Sequence, residues 1–214
     1  MHASTRADWS IPVGLIALAL IPVAAGLVRL TDLGSGQITP ANARFFAEPV
    51  PVVLHIVGVT VYSVLGAFQF SPGLRRRRPR WHRASGRFVA TAGFLSALSG
   101  IWMAVTYDIV PADNALLHGM RLFFGSAMAV SLLLGTSAIL RKEVSRHEDW
   151  MRRAYAIGLG AGTQALVQLP PLLVFGEPTD MGRALMMGTG WGVNLAVAEW
   201  LIRGASERKL AGPP

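Results

Sequence analysis

Six stretches of this 214-residue chain are each long and apolar enough to cross a lipid bilayer. The hydrocarbon core is about 30 Å thick and a helix rises about 1.5 Å per residue, so one span needs about 20 mostly apolar residues. The runs cover approximately residues 11–28, 50–70, 88–106, 122–140, 154–175 and 184–202. His55 apart, the first five hold no titratable charge, and the sixth holds only Glu199, near one end. In lipid every backbone polar group must be satisfied internally, which leaves helices or closed barrels. The expected fold class is therefore all-α, a polytopic integral membrane bundle of six transmembrane helices forming one domain over residues 1–214.

Composition agrees. Hydrophobic residues make up 52% and charged residues 15%, against roughly a quarter charged in a soluble domain. The net charge of +8 would suggest nucleic acid in a soluble protein, so its placement decides its meaning. The segment Ser71–Arg87 carries seven arginines and no acid, and Arg141–Arg153 carries five basic residues. With Arg6, Arg203, Arg208 and Lys209, 16 of the 20 basic residues fall on one side of the predicted bundle; Arg29, Arg44, Arg121 and Arg183 fall on the other. Basic loops stay cytoplasmic, so both termini are expected inside, facing anionic lipid head groups rather than nucleic acid. The first run is expected to be a retained helix: it exceeds a usual signal-peptide core, and Val23-Ala24-Ala25 is a poor cleavage site.

The chain has no cysteine. That removes thiolate nucleophiles, Cys-held zinc, iron–sulfur clusters and covalent c-type haem. Protease, P-loop and serine-hydrolase motifs are also absent. Histidine is then the natural metal ligand. His55 falls near the outer start of the second run and His118 at the outer start of the fourth, while His82 and His147 lie just before the third and fifth, on the inner side. Haem iron held by two imidazoles has no open position and suits electron transfer. His55 with His118 would place one haem b outside, and His82 with His147 a second inside, giving one or two in all. From His55 to Phe70 is about 16 helical residues, or roughly 24 Å. Arg83, Arg87, Arg152 and Arg153 surround the inner pair as candidate partners for haem propionates, and Trp81 and Trp150 sit beside it, with interfacial anchoring their ordinary role.

Two resemblances follow from these residues. His55, Gly66, Gln69-Phe70, Arg75, Pro79, His82-Arg83, Gly86-Arg87 and His147 with Trp150-Met151-Arg152-Arg153-Ala154-Tyr155 resemble the family of predicted bacterial membrane proteins termed domain of unknown function 2306, over approximately residues 50–175. That likeness implies a bacterial plasma membrane protein and names no activity. Single histidines on the second to fifth helices also resemble the cytochrome b-561 layout, a likeness of topology only. It implies transmembrane electron transfer between a small reductant or quinol and an acceptor, with a quinone as a possible partner.

The remaining polar groups have bland uses. Gln164, Gln168 and Asn194 are expected to form interhelical hydrogen bonds, and Glu199 to pair with Arg203 one turn on. Ala154, Gly158 and Gly162, like Gly86, Gly93 and Gly100, form small-residue stripes that admit a close helix or a flat ligand. Pro170-Pro171 is expected to kink the fifth helix, and Gly188, Gly190 and Gly192 to loosen the sixth. The leading function is a b-type haem membrane oxidoreductase. The alternative is a non-enzymatic transporter or accessory subunit that binds an anionic lipid, substrate or partner at the basic inner face.

Overall fold

Helix starts in this chain are set by proline and by short polar side chains. Pro49, Pro72 and Pro79 occupy the first turns of α3 (Pro49–Ala67), α4 (Pro72–Arg77) and α5 (Pro79–Thr106), where a missing N–H costs no hydrogen bond. The Ser71 hydroxyl accepts from the Leu74 amide at 3.3 Å and the Asn114 carbonyl from the Leu117 amide at 2.9 Å, capping α4 and α6 (Ala115–Leu140). The computed structural model describes residues 3–108 and 113–210. Its other helices are α1 (Ala3–Ser35), α2 (Ala43–Ala47), α7 (Val144–Gly158), α8 (Gly160–Phe175) and α9 (Asp180–Leu210), and no strand occurs among the described residues.

The long helices run up and down. α3 lies against α5, α5 against α6, and α6 against α7, while α9 packs on α6, α7 and α8, and α1 closes the ring on α3 and α8. Tyr62, Ala92, Met128, Leu132, Ala154, Tyr155 and Ile157 form the buried centre. The exterior is unlike a soluble protein's: Leu20, Phe88, Val105, Phe123, Leu133, Phe175 and Trp200 are all more than half exposed, a belt that water would drive to aggregate and lipid accommodates. Trp9 of α1 meets Phe68 edge-on at 6.1 Å, and Glu199 of α9 meets Arg153. Both described chain ends therefore lie at the end that carries the arginine-rich α4 and α7, called here the basic end; α2 marks the opposite end.

The elements differ from the sequence expectation in four ways. Five helical segments are long and apolar enough to span a membrane, residues 9–35, 49–70, 79–106, 115–140 and 144–175. α9 falls short among the described residues because three glycines, two tryptophans, Asn194 and Glu199 dilute its apolar run. The helices also extend past their apolar cores, so His82 and His147 lie inside the first turns of α5 and α7 rather than before them. The fifth run breaks at Leu159, where Gly158 and Gly160 weaken the helix and the Gly162 amide donates to the Leu159 carbonyl three residues back. α8 then continues through Pro170 and Pro171, and α9 through its three glycines.

Candidate functional site

The α2 end of the bundle encloses a cavity of about 340 Å³ to which α2, α3, α5, α6, α7, α8 and α9 all contribute. Cofactor and ligand sites occupy about 300–1,000 Å³, so this one is at the small end of that range. His55 and His118, from helices that are not neighbours in sequence, line it together. Its walls are made of the small residues Ala97, Gly100, Gly125, Gly158 and Ala161, with Met103, Met128 and Met187 among them. Phe124 and Trp191 stack at 4.6 Å and 23° on one side.

The orientation of His55 is fixed by its neighbours. Its Nδ1 lies 2.9 Å from the Ser96 carbonyl oxygen. A carbonyl only accepts, so Nδ1 carries a proton, and in the neutral ring Nε2 keeps its lone pair. The Ser99 hydroxyl, whose own proton points to the Leu95 or Ser96 carbonyl, lies 3.4 Å from the same nitrogen. Gly100 makes room for the ring: a Cβ there would stand 3.2 Å from His55 Cε1. This backbone-anchored neutral imidazole is the form that ligates metals. His118 sits in the capped first turn of α6, half-buried, and its ring makes no hydrogen bond to another described residue.

The mouth of the cavity is charged. Arg121 pairs with the nearly buried Asp113 at 2.5 Å, and Arg29 with Asp32 at 3.5 Å. Tyr107 donates from its hydroxyl to the Glu48 carbonyl oxygen at 2.6 Å and Thr106 to the Glu48 carboxylate at 2.9 Å, tying the end of α5 to the start of α3. Burial, reinforced by the Glu48 charge, lifts the Tyr107 phenol above its ordinary pKa despite opposing effects from the Val52 backbone and Arg44. The phenol therefore remains a donor. Arg44, Tyr107, Arg121, Gln164 and Trp191 were not singled out by sequence for this cavity. The only signal was indirect: Arg44 and Arg121 are two of the four basic residues on the sparsely charged side.

At the basic end, His82 and His147 are electrostatic neighbours. The Nδ1 of His147 lies 2.9 Å from the Gly135 carbonyl, so it too is the protonated nitrogen, whereas His82 Nδ1 is buried without a hydrogen-bond partner. Neither lines the cavity. Of the arginines expected to hold propionates, Arg152 is engaged by Glu148 and Asp149, and Arg153 by Glu199. Arg83 and Arg87 make no ion pair among the described residues, and Trp150 lies under the Arg153 guanidinium at 4.7 Å.

Glu199 takes Arg153 in a two-point pair, Nε to Oε1 at 2.5 Å and Nη2 to Oε2 at 3.0 Å, in place of the local Arg203 pair expected from spacing. The interhelical geometry allows both oxygens to be used, which an i,i+4 pair on one helix does not. Both side chains are about a third exposed or less, so Glu199→Ala should lower the stability of the detergent-solubilised protein by only about 1 kcal/mol. Arg203→Ala should leave its thermal midpoint nearly unchanged. Two of the three expected interhelical polar bonds are present: Gln164 Nε2 donates to the Met187 carbonyl at 3.0 Å, and Asn194 Nδ2 to the Ala156 carbonyl at 3.0 Å, whereas Gln168 Nε2 donates to the Gln164 carbonyl of its own helix at 3.3 Å.

A helical bundle with an apolar exterior around a histidine-lined cavity defines an integral membrane protein. The chain belongs to the family described as predicted membrane protein (DUF2306), which matches residues 52–202 and so takes in all four of these histidines. No curated protein and no solved structure matches it.

Proposed function

We propose that the protein is a membrane electron carrier that holds a b-type haem in the cavity at its α2 end, where His55 and His118 would be the residues that hold it. The observation that carries this reading is the convergence of those two histidines on one small-walled cavity, one of them already held in its ligating tautomer. Donor chemistry supports the same choice. Among the described residues no three His, Asp or Glu side chains converge as a bare-ion site, whereas a macrocycle brings four nitrogens of its own and asks the protein for two.

When bound, haem supplies a one-electron couple. The chain's part would be to hold the group with His55 and His118, to keep His55 rigid through Ser96, and to exclude water with Phe124, Met128 and Trp191. A small reductant or quinol would meet the cavity at its mouth, and electrons would leave toward an acceptor at the basic end. One haem per chain is the expected stoichiometry by pyridine haemochrome assay. Two would assign the second to His82 and His147.

We further read α9 as a sixth span, with both termini and the basic end in the cytoplasm of a bacterial cell, because basic segments resist translocation. The absence of cysteine makes the sidedness of the two ends of the bundle directly testable. Single cysteines at Gln37 and Arg76 should label with a membrane-impermeant maleimide only from the outside and only after lysis, respectively.

The exposed arginines Arg76, Arg77 and Arg78, which have no ion pair among the described residues, favour a second reading, a transporter or accessory subunit that binds anionic lipid at the basic end. It requires no chromophore. A colourless protein whose function depends on those arginines would select it.

A further inference from the structure

Arg44 stands apart among the charges around the cavity. Asp113 is matched by Arg121 and Asp32 by Arg29, Glu48 accepts from Thr106, and Asp108 is exposed to solvent. Arg44 lines the cavity and is half-buried, and its guanidinium forms no ion pair or hydrogen bond with a described residue. It is nevertheless held in place. Its guanidinium lies over the Phe45 ring at 4.7 Å, with the Arg29 guanidinium at the same distance from that ring, and Phe45 meets Tyr107 edge-on at 5.5 Å. The short α2 that carries it is fixed by buried Asn42, which accepts from the Thr39 amide at 2.7 Å and donates to the Gln37 carbonyl at 3.0 Å. Burial makes the Arg44 charge costly and lowers its pKa; Asp113 offsets part of this, while Arg121 and Arg29 add to it. A positioned, partly desolvated guanidinium with no donor taken by a described residue is suited to a carboxylate.

We propose that Arg44 binds a carboxylate of the cavity's ligand and so sets which edge of that ligand faces the mouth. The assignment rests on the reading of the cavity as a haem site. The ligand's anionic edge then lies toward α2, beside the Phe45 ring, and its apolar edge points inward to Met128 and Gly158. Arg121 stays with Asp113.

The test compares two probes that share the same macrocycle and iron: ferric haem and its dimethyl ester, in which both carboxylates are masked. The full chain, produced under haem limitation and held in lipid nanodiscs, is titrated with each and followed by absorbance. The wild-type protein should bind the diacid about tenfold more tightly than the diester, the scale of one charge-assisted contact. Arg44→Gln should bring the ratio close to one, and Arg44→Lys should restore part of it. The ratio is read within each variant, so partial loss of folded protein does not disturb it. An undiminished preference in Arg44→Gln, or none in the wild type, overturns the assignment while leaving the haem site standing. Failure of the wild type to bind either probe overturns the haem site and this assignment with it.

Discussion

Replacing His55 with alanine is expected to remove the haem absorbance of the purified protein, lowering affinity by at least about tenfold, since losing even an outer-shell partner of a metal ligand costs about 10–100-fold. The reason is geometric. Among the described residues, His55 is the one histidine whose ring is anchored to a neighbouring helix's backbone and lines the cavity at the same time. His118→Ala should weaken binding in the same direction, whereas His147→Ala, acting at the basic end, should leave the signal of the α2-end site intact. Haem content per folded chain, measured by pyridine haemochrome after size-exclusion chromatography, separates these outcomes. Retention of full haem by His55→Ala would remove the cavity from consideration.

The second large effect concerns the frame that holds the cavity closed. α1 approaches α8 so nearly that a Cβ on Gly162 would overlap the carbonyl oxygen of Leu18, a backbone atom that cannot rotate away. Ala19 beside it is 1% exposed. Gly162→Leu must push the helices apart, and overpacking of this kind costs about 1–3 kcal/mol or more. A marked drop in thermal midpoint in detergent is expected. Gly14, also within α1, has nothing within 4 Å of a built Cβ, so Gly14→Ala should be neutral or stabilising by up to about 1 kcal/mol. Equal destabilisation by the two substitutions would mean that α1 does not pack as described.

What could be read from sequence divides along physical lines. Apolar runs mark lipid-facing length, so the first five long segments were legible. Their ends were not, because Pro79 and the polar turn at Val144 extend α5 and α7 beyond the apolar core and bring His82 and His147 inside helices. The break at Leu159 was equally hidden: the nearby prolines looked like stronger breakers than two glycines. Gly93, Gly100 and Gly158 pointed correctly to close approach, and the structure shows what approaches: Tyr62 at Gly93 and Gly158, His55 at Gly100. Partner choice across helices has no signature in a single chain. Glu199 therefore read as a partner for Arg203, and Arg44 as nothing more than an outer-loop charge.

The central claim is that this cavity carries a bis-histidine haem. The most direct measurement is the reduced-minus-oxidised difference spectrum of the full-length protein, purified after expression with haem available. A sharp alpha band with a low-spin Soret shift, present in His147→Ala and absent in His55→Ala, is the predicted result. A colourless wild-type protein under those conditions would contradict it.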